Sequence, residues 1–354
     1  MSAACIFGCA GTELSAEEKA FFRAVRPWGF ILFARNIANH DQVRRLIDDL
    51  RAAADDEGAP VFVDQEGGRV QRLKPPLALR RRPAELFGQL YQRDPQTAIE
   101  ATYLNHRLLA HELAALGFDA DCAPCIDLRH KGAHDVIGNR AFSSEPSVVS
   151  ALGRAACDGL LAGGVAPVIK HIPGHGRAAA DSHYDLPVVD TPESVLELTD
   201  FQPFRALVDI PMAMTAHVVF SDIDPEFCAT VSHRVINTVI RGHMAFDGLL
   251  MSDDLSMKAL GGDLTERTQA SIKAGCDIVL HGNGALVGEP VRDLMAELKA
   301  IADATPELSG KALERADAVR ALTRRAQPFD PEAAEDRLTA LGLNGREVVD
   351  DALV

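Results

Sequence analysis

The sequence predicts a single-domain (β/α)8 barrel of the TIM type, and three observations support this prediction. About eight short apolar runs are spaced along the 354 residues, helical patterns separate most of them, and polar clusters directly follow several of the runs. Strands that alternate with helices are typical of parallel βα units. Such barrels often exceed ~250 residues as one domain. The pattern alone leaves an open doubly wound sheet as the alternative.

The apolar runs are interpreted as the eight barrel strands. In chain order they cover residues 3–9, 30–33, 61–64, 118–125, 165–170, 210–216, 248–252 and 277–280. Ser15 and Glu18 predict a capping box at the start of the first helix. Gly117 is predicted to end a long helix over about residues 96–116. Thr191 and Pro192 predict an N-cap followed by proline in the first helical position.

The chain after about residue 286 is predicted to be helical and to pack on the outside of the barrel. We therefore expect residues 1–354 to form one catalytic domain. No flexible linker, internal repeat or low-complexity stretch divides the sequence.

Composition and charge narrow the class of protein. Hydrophobic residues make up 47% and the formal net charge is −15, which disfavours nucleic acid and anionic membrane surfaces as partners. No apolar run approaches the ~20 residues of a membrane span. Residues 1–10 lack a basic segment, so the cytoplasm is the expected location. The seven scattered cysteines predict reduced thiols, with Cys122 and Cys125 as buried strand thiols.

Polar residues cluster where the predicted strands end. They include Asp64 and Arg72 after the third run, Arg140 after the fourth, Lys170 and His171 at the fifth, Thr215 and His217 at the sixth, Asp253 and Asp254 at the seventh, and His281 at the eighth. In (β/α)8 enzymes the C-terminal ends of the strands build the active site. These strand ends therefore predict one shared pocket.

The segment KHIPGHGRAAADSHYDLP, residues 170–187, predicts a loop that carries acid/base chemistry. Pro173, Gly174 and Gly176 are incompatible with a helix. Asp181 and His183 are two residues apart, so in an extended segment their side chains share one side. The carboxylate would then fix the imidazole tautomer and leave the other ring nitrogen for proton transfer. An incidental pair in a solvated loop is the alternative.

Asp253 and Asp254 form a second informative pair at the seventh strand end. Consecutive strand residues face opposite ways, so only one carboxylate is expected to enter the barrel mouth. A carboxylate there could attack an electrophilic carbon and form a covalent intermediate. The alternative is that one caps the next helix and the other binds a metal or a basic side chain.

Together these segments resemble glycoside hydrolase family 3, in particular its short β-N-acetylhexosaminidases of the NagZ type. The matching pieces include GFILFARNI, VDQEGGRVQRL, IGNRAFSSEP, IKHIPGHGRAAADSHYDLP, FDGLLMSDDLSMKAL and AGCDIVLHGN, and they run in family order over about residues 10–284. Ile172 departs from the commoner phenylalanine of KHFPGHG.

The resemblance implies a role for each matched residue. Asp253 matches the catalytic nucleophile, His183 the general acid/base and Asp181 its partner. The residues that match binders of N-acetylglucosamine are Asp64, Arg72, Arg140, Lys170 and His171. The implied substrates are small carbohydrates, N-acetylglucosaminyl-β-1,4-anhydro-N-acetylmuramic acid with or without its peptide, in cytoplasmic cell-wall recycling.

The expected reaction is retaining hydrolysis without a cofactor or a metal, by a monomer, with a dimer as the alternative. A β-N-acetylglucosaminide phosphorylase is the nearest rival, because a neutral imidazole would not repel phosphate. A β-glucosidase of the same family usually takes its acid/base from a second domain. A metal-dependent amidohydrolase could use residues His171, His175, His183, His217 and Asp253. A non-catalytic sugar-binding barrel is the alternative outside enzymes.

Overall fold

The computed structural model describes residues 2–178, 186–282 and 293–343. Eight parallel strands close into one barrel and follow each other around the ring in chain order. They are β1 (Ala3–Phe7), β2 (Pro27–Leu32), β3 (Val61–Val63), β4 (Ala120–Asp121), β5 (Ala166–Ile172), β6 (Met212–Thr215), β7 (Leu249–Asp254) and β8 (Ile278–His281). Pairing of β8 with β1, for example Val279 beside Cys5, closes the ring. The predicted (β/α)8 barrel is confirmed, and the open sheet is wrong.

Each of the eight apolar runs overlaps a barrel strand, although several boundaries differ, two of them in an informative way. The fourth strand is only Ala120–Asp121, and Pro124, which has no N–H to donate, follows three residues after its end. The seventh extends to Asp254, because the backbone keeps pairing with β8 at Leu280 after the apolar run has ended. The acidic end of β7 is therefore part of the sheet.

Helices surround the barrel. They are α1 (Ala16–Val25), α2 (His40–Ala53), α3 (Ala84–Tyr91), α4 (Pro95–Leu116), α5 (Pro146–Ala162), α6 (Glu193–Leu198), α7 (Gln202–Ala206), α8 (Leu264–Ala274), α9 (Leu294–Ala304), α10 (Gly310–Leu322) and α11 (Pro331–Ala340), with a π-helix over Val235–His243. None of the helices in the described residues is long and apolar enough to cross a membrane.

The predicted helix signals are confirmed at two places and wrong at one. Ser15 and Glu18 form the capping box of α1, and Gly117 ends α4 with φ at 96°. Before α6, however, Pro192 occupies the N-cap position itself. The orphan N–H of Glu193 is instead satisfied by the carboxylate of Asp222, at 2.8 Å. This cap comes from 29 residues away, so local sequence could not predict it.

The C-terminal helices pack against the barrel layer as far as the structure describes them. Leu298 and Ile301 of α9 are buried in the same cluster as Cys5 and Phe7 of β1. Leu338 of α11 joins the other large cluster of the outer layer. The assignment of all of residues 1–354 to one domain stays a prediction.

The barrel interior is filled by side chains from every strand. Its members include Ile6, Trp28, Phe62, Val168, Met212, Met251 and Leu280. All seven cysteines are free and buried. Cys122 and Cys125, predicted as strand thiols, lie beyond the end of β4, and burial is the main cause that raises their pKa. The packed interior leaves the strand ends as the surface on which polar groups gather.

Candidate active site

Lys170, near the end of β5, lies between two carboxylates from the segment after β3. Its Nζ donates to Asp64 Oδ1 at 3.0 Å and lies 2.6 Å from Glu66 Oε1. Arg72 donates to the other oxygen of Asp64 at 2.9 Å. Although burial would raise the pKa of Asp64, Lys170 and Arg72 outweigh it and hold that pKa far below the usual range. The group is charged and fixed before any ligand arrives.

Arg140 extends this network from the short helical turn Gly138–Arg140. It forms a two-pronged pair with Glu66, at 2.9 Å from Nε and 2.8 Å from Nη2. Burial opposes ionisation of Glu66, yet Arg140 and Lys170 lower its pKa to about 2. The structure therefore joins four of the predicted sugar-binding residues into one network. Asp64 connects Arg72 with Lys170, and Glu66 connects Lys170 with Arg140.

Asp121, the last residue of β4, is a third carboxyl group beside this network. It is fully buried, and its Oδ1 accepts the backbone N–H of Gln65 at 2.9 Å. Burial is the main cause that raises its pKa to about 8, and the charges of Asp64 and Glu66 act in the same direction. Asp121 is thus mainly protonated at neutral pH, while its two neighbours are ionised.

His171, the fifth predicted sugar-binding residue, is held by a different carboxylate. Its Nδ1 lies 2.7 Å from Asp127 Oδ2, and Asp127 Oδ1 accepts the backbone N–H of His175 at 2.6 Å. The two imidazole rings are 5.6 Å apart between centroids. Asp127 therefore fixes both the ring of His171 and the first turn of the loop that follows β5. This leaves Nε2 of His171 as the ring nitrogen available to a ligand.

At the end of β7, Asp253 is partly exposed and Asp254 is buried. Asp253 Oδ1 accepts the N–H of Asp254 at 2.7 Å. The Asp253 carboxylate interacts electrostatically with His175 and with His217. Asp254 faces β8, where its Oδ2 accepts the N–H of Gly282 at 3.1 Å. Of the two aspartates, Asp253 is the one with access to a substrate.

His217, just after β6, connects the floor of the pocket to β7. Its Nδ1 lies 2.7 Å from Thr230 Oγ1, and its Nε2 lies 3.1 Å from the carbonyl oxygen of Asp254. Burial lowers the pKa of His217, which favours the neutral ring. In that form Nε2 can donate to the carbonyl while Nδ1 accepts from the hydroxyl.

The predicted acid/base residues His183 and Asp181 lie outside the described residues, so their roles stay predictions. So does the expectation that no metal takes part. Sequence reasoning overlooked Glu66, Asp121 and Asp127. Glu66 follows Asp64 by two residues in extended backbone, and this period could have shown that both face one side.

A cleft next to the network encloses about 430 Å3. Its lining includes Arg129, His130, Lys131, His134, Gly138 and Gly176. Gly138 begins the turn that ends in Arg140, and Gly176 follows His175 directly. The cleft therefore shares two of its walls with the group of residues described above.

Comparison with known proteins identifies the family of the chain. The profile of the glycosyl hydrolase family 3 N-terminal domain matches residues 11–318. A beta-hexosaminidase of Xanthomonas axonopodis pv. citri (strain 306) is 39% identical over 291 residues, which are 81% of this chain and 86% of that protein. A beta-hexosaminidase of Alkalilimnicola ehrlichii (strain ATCC BAA-1101 / DSM 17681 / MLHE-1) is 42% identical over 285 residues, 78% of this chain and 80% of that protein.

Solved structures give the same result. NagZ from Neisseria gonorrhoeae in complex with N-trifluoroacetyl-D-glucosamine superposes with a TM-score of 0.77 at 31% identity, over 96% of this chain and 98% of that chain. The beta-N-acetylglucosaminidase from Thermotoga maritima superposes with a TM-score of 0.70 at 28% identity, over 91% and 67%. The chain therefore belongs to glycosyl hydrolase family 3 and is a glycoside hydrolase of the β-N-acetylhexosaminidase type.

Proposed function

We propose that this enzyme is an exo-acting, retaining β-N-acetylglucosaminidase. It removes terminal β-linked N-acetylglucosamine from peptidoglycan fragments such as N-acetylglucosaminyl-β-1,4-anhydro-N-acetylmuramic acid, with or without peptide. The observation that carries the proposal is the buried network of Asp64, Lys170, Glu66 and Arg140 at the strand ends, with the accessible carboxylate of Asp253 at the same end of the barrel. The beta-hexosaminidase relatives support it.

The network suits a neutral sugar with many hydroxyl groups. Lys170 has three N–H donors and uses two on Asp64 and Glu66, while Arg72 and Arg140 each offer five. Their remaining donors, together with the carboxylate oxygens, can bind the hydroxyl and acetamido groups of one sugar ring. Because the charges are already paired, little reorganisation is needed when the sugar enters.

In the proposed reaction Asp253 attacks C1 through an oxocarbenium-like transition state. The C1–O bond to the leaving group breaks, and the imidazolium of His183 protonates the departing oxygen. His183, now neutral, then takes a proton from water, which attacks C1 and releases Asp253. Two displacements retain the configuration at C1. Retaining glycosidases usually place two carboxyl groups ~5–5.5 Å apart, and here an imidazole takes the second role.

The aglycone of such a substrate is acidic, since muramic acid and its peptide carry carboxylates. The cleft gives it room, and Arg129 and Lys131, which line it together with Asp135, offer positive charge. The proposed location is the cytoplasm, where wall fragments are recycled. Seven free, buried thiols suit a reducing compartment of this kind.

Mass spectrometry of a trapped intermediate tests the proposal directly. After brief exposure to a slow N-acetylglucosaminide, the wild-type protein should gain the mass of one glycosyl group, and peptide mapping should assign it to Asp253. The Asp253→Ala variant should gain none. Peptide mapping also separates Asp253 from its neighbour Asp254. An adduct on any other residue, or turnover by the Asp253→Ala variant, would contradict the proposed mechanism.

A further inference from the structure

His281, the last residue of β8, is a buried imidazole that the proposed reaction does not use. Its side chain is fully inaccessible to solvent. Nε2 lies 3.0 Å from Glu297 Oε2 on α9, and Nδ1 lies 3.4 Å from Asp254 Oδ1 on β7. The ring thus stands between two carboxylates that come from different elements.

This placement favours the imidazolium form. A neutral imidazole has one N–H, so one of its nitrogens would present a lone pair to a carboxylate. The imidazolium presents an N–H to each, as a hydrogen bond to Glu297 and as an ion pair without hydrogen-bond geometry to Asp254. Burial lowers the pKa of His281, but the contacts with Asp254 and Glu297 outweigh burial and raise it to about 8. Asp254 is held ionised in turn, since His281 and the N–H of Ser256 lower the pKa of its carboxyl against the effect of burial.

Asp254 connects His281 and Glu297 to Asp253. Its carboxylate accepts the N–H groups of Ser256, at 2.8 Å, and Gly282, at 3.1 Å. Its carbonyl oxygen is 3.1 Å from His217 Nε2, and its own N–H donates to Asp253 Oδ1 at 2.7 Å. Asp254, whose N–H contacts Asp253, is therefore held both by its carbonyl oxygen and by its carboxylate, and the carboxylate is the anchor that involves His281.

We propose that His281, protonated between Asp254 and Glu297, is a positioning residue for the Asp253 carboxylate. It holds Asp254, whose backbone N–H orients one oxygen of Asp253 toward the substrate. This inference rests on the proposed function of Asp253. When His281 loses its proton, the Asp254 anchor loosens and catalysis falls.

The charged groups around His281 come from three structural elements. Asp254 lies on β7, Glu297 on α9, and Arg35, in the turn after β2, interacts electrostatically with Asp254. The Arg35 guanidinium also donates to the carbonyl oxygen of Gly282. Loss of the proton removes a buried positive charge from between the carboxylates of Asp254 and Glu297, which burial makes costly.

Nuclear magnetic resonance of 15N-labelled histidines tests the protonation state without relying on activity. The signal of His281, assigned by its disappearance in the His281→Gln variant, should be that of an imidazolium at pH 7 and should titrate near pH 8. A neutral ring at pH 7 would overturn the proposal. This experiment needs only the folded wild type and one assignment variant.

The Glu297→Gln variant tests the link to catalysis, because glutamine can still accept the His281 N–H but carries no charge. We measure kcat against pH with 4-nitrophenyl N-acetyl-β-D-glucosaminide, whose leaving group needs little help from an acid. The alkaline midpoint should move to lower pH by about one unit, as expected for loss of a contacting opposite charge. KM should stay close to that of the wild type.

The matched control is Glu197→Gln, the same exchange beside His243 on the exposed side of the barrel, which should leave the profile in place. Equal loss at every pH in Glu297→Gln would mean a purely structural role and would overturn the inference. Failure of the proposed function would look different, since the wild type would then form no adduct on Asp253 and would not cleave the substrate.

Discussion

Lys170→Met should be among the most destabilising single substitutions at the barrel mouth. The Lys170 ammonium is 3% exposed and contacts two carboxylates, Asp64 and Glu66, whose side chains are 14% and 7% exposed. Methionine keeps most of the volume of lysine but removes the charge. Two ionised carboxylates are then left in a buried site with one cation fewer.

The magnitude follows from the burial of this group. Glu66 has its pKa lowered from 4.5 to about 2, which corresponds to about 3 kcal/mol of stabilisation of the ionised form shared by Arg140 and Lys170. Breaking a buried ion pair by removing one partner costs ~3–5 kcal/mol. We therefore expect Lys170→Met to lose about 3–5 kcal/mol of unfolding free energy at pH 7. A folded-state pKa below the usual one stabilises above pH 4.5 and loses its effect toward pH 2, so the difference should shrink as pH falls below about 4.5.

Urea unfolding at pH 7, followed by fluorescence of Trp28, measures the effect. Trp28 is the single tryptophan and is buried in the barrel interior. Unfolding followed by circular dichroism should give a coincident transition, which checks two-state behaviour. Lys19→Met is the control, because Lys19 pairs with Asp49 at 2.9 Å with both side chains about half exposed, a pair worth ~0–1 kcal/mol. Equal destabilisation by the two substitutions would refute the reasoning.

Three further predictions concern catalysis, the aglycone and pH. His183→Ala should lower kcat by ~10²–10⁴-fold on substrates with unactivated leaving groups and much less on a nitrophenyl glycoside; equal losses would argue against its role as proton donor. Lys131→Ala should raise KM about fivefold for substrates with carboxylate-bearing aglycones, as loss of an exposed ion pair of about 1 kcal/mol implies. KM for neutral aglycones should not change, and the Lys311→Ala variant should behave like the wild type. A uniform rise in KM would contradict the aglycone site. The folded-state pKa of His281 is raised from 6.5 to about 8. Protonation of His281 therefore stabilises the fold by about 2 kcal/mol below pH 6.5, and this stabilisation is lost as pH rises through 8. The free energy of unfolding in urea should therefore differ between His281→Gln and the wild type more at pH 6 than at pH 9.

The fold was predictable because its strongest signals are local. Each barrel strand overlaps an apolar run, and the capping box of Ser15 and Glu18 depends on two residues three positions apart. Gly117 was identifiable because a left-handed backbone favours glycine. The cap of α6 was not predictable, since it depends on Asp222, which only the folded chain brings near Glu193.

The candidate site was predictable for residues that directly follow barrel strands, because the C-terminal ends of parallel strands meet at one end of the barrel. Lys170 and Asp64 are 106 residues apart in sequence, and the rule that parallel strand ends meet was sufficient to place them together. Asp127 gave no such signal, because it lies in irregular chain beyond a short strand and only its contact with His171 shows its role. The pairing of His281 with Glu297 likewise depends on how α9 packs against β8.

The balance of charge in the pocket bears on the choice between water and phosphate as the second substrate. Among the described residues of the network, Lys170, Arg72 and Arg140 are matched by the ionised carboxylates of Asp64 and Glu66, with only one positive charge in excess. A phosphate dianion that entered beside them would compete with carboxylates already bonded to these cations and would face the Asp253 carboxylate directly. Neutral water meets neither obstacle. A pocket whose cations are engaged in this way binds neutral hydroxyl groups with little reorganisation, and this favours hydrolysis over phosphorolysis for the same covalent intermediate.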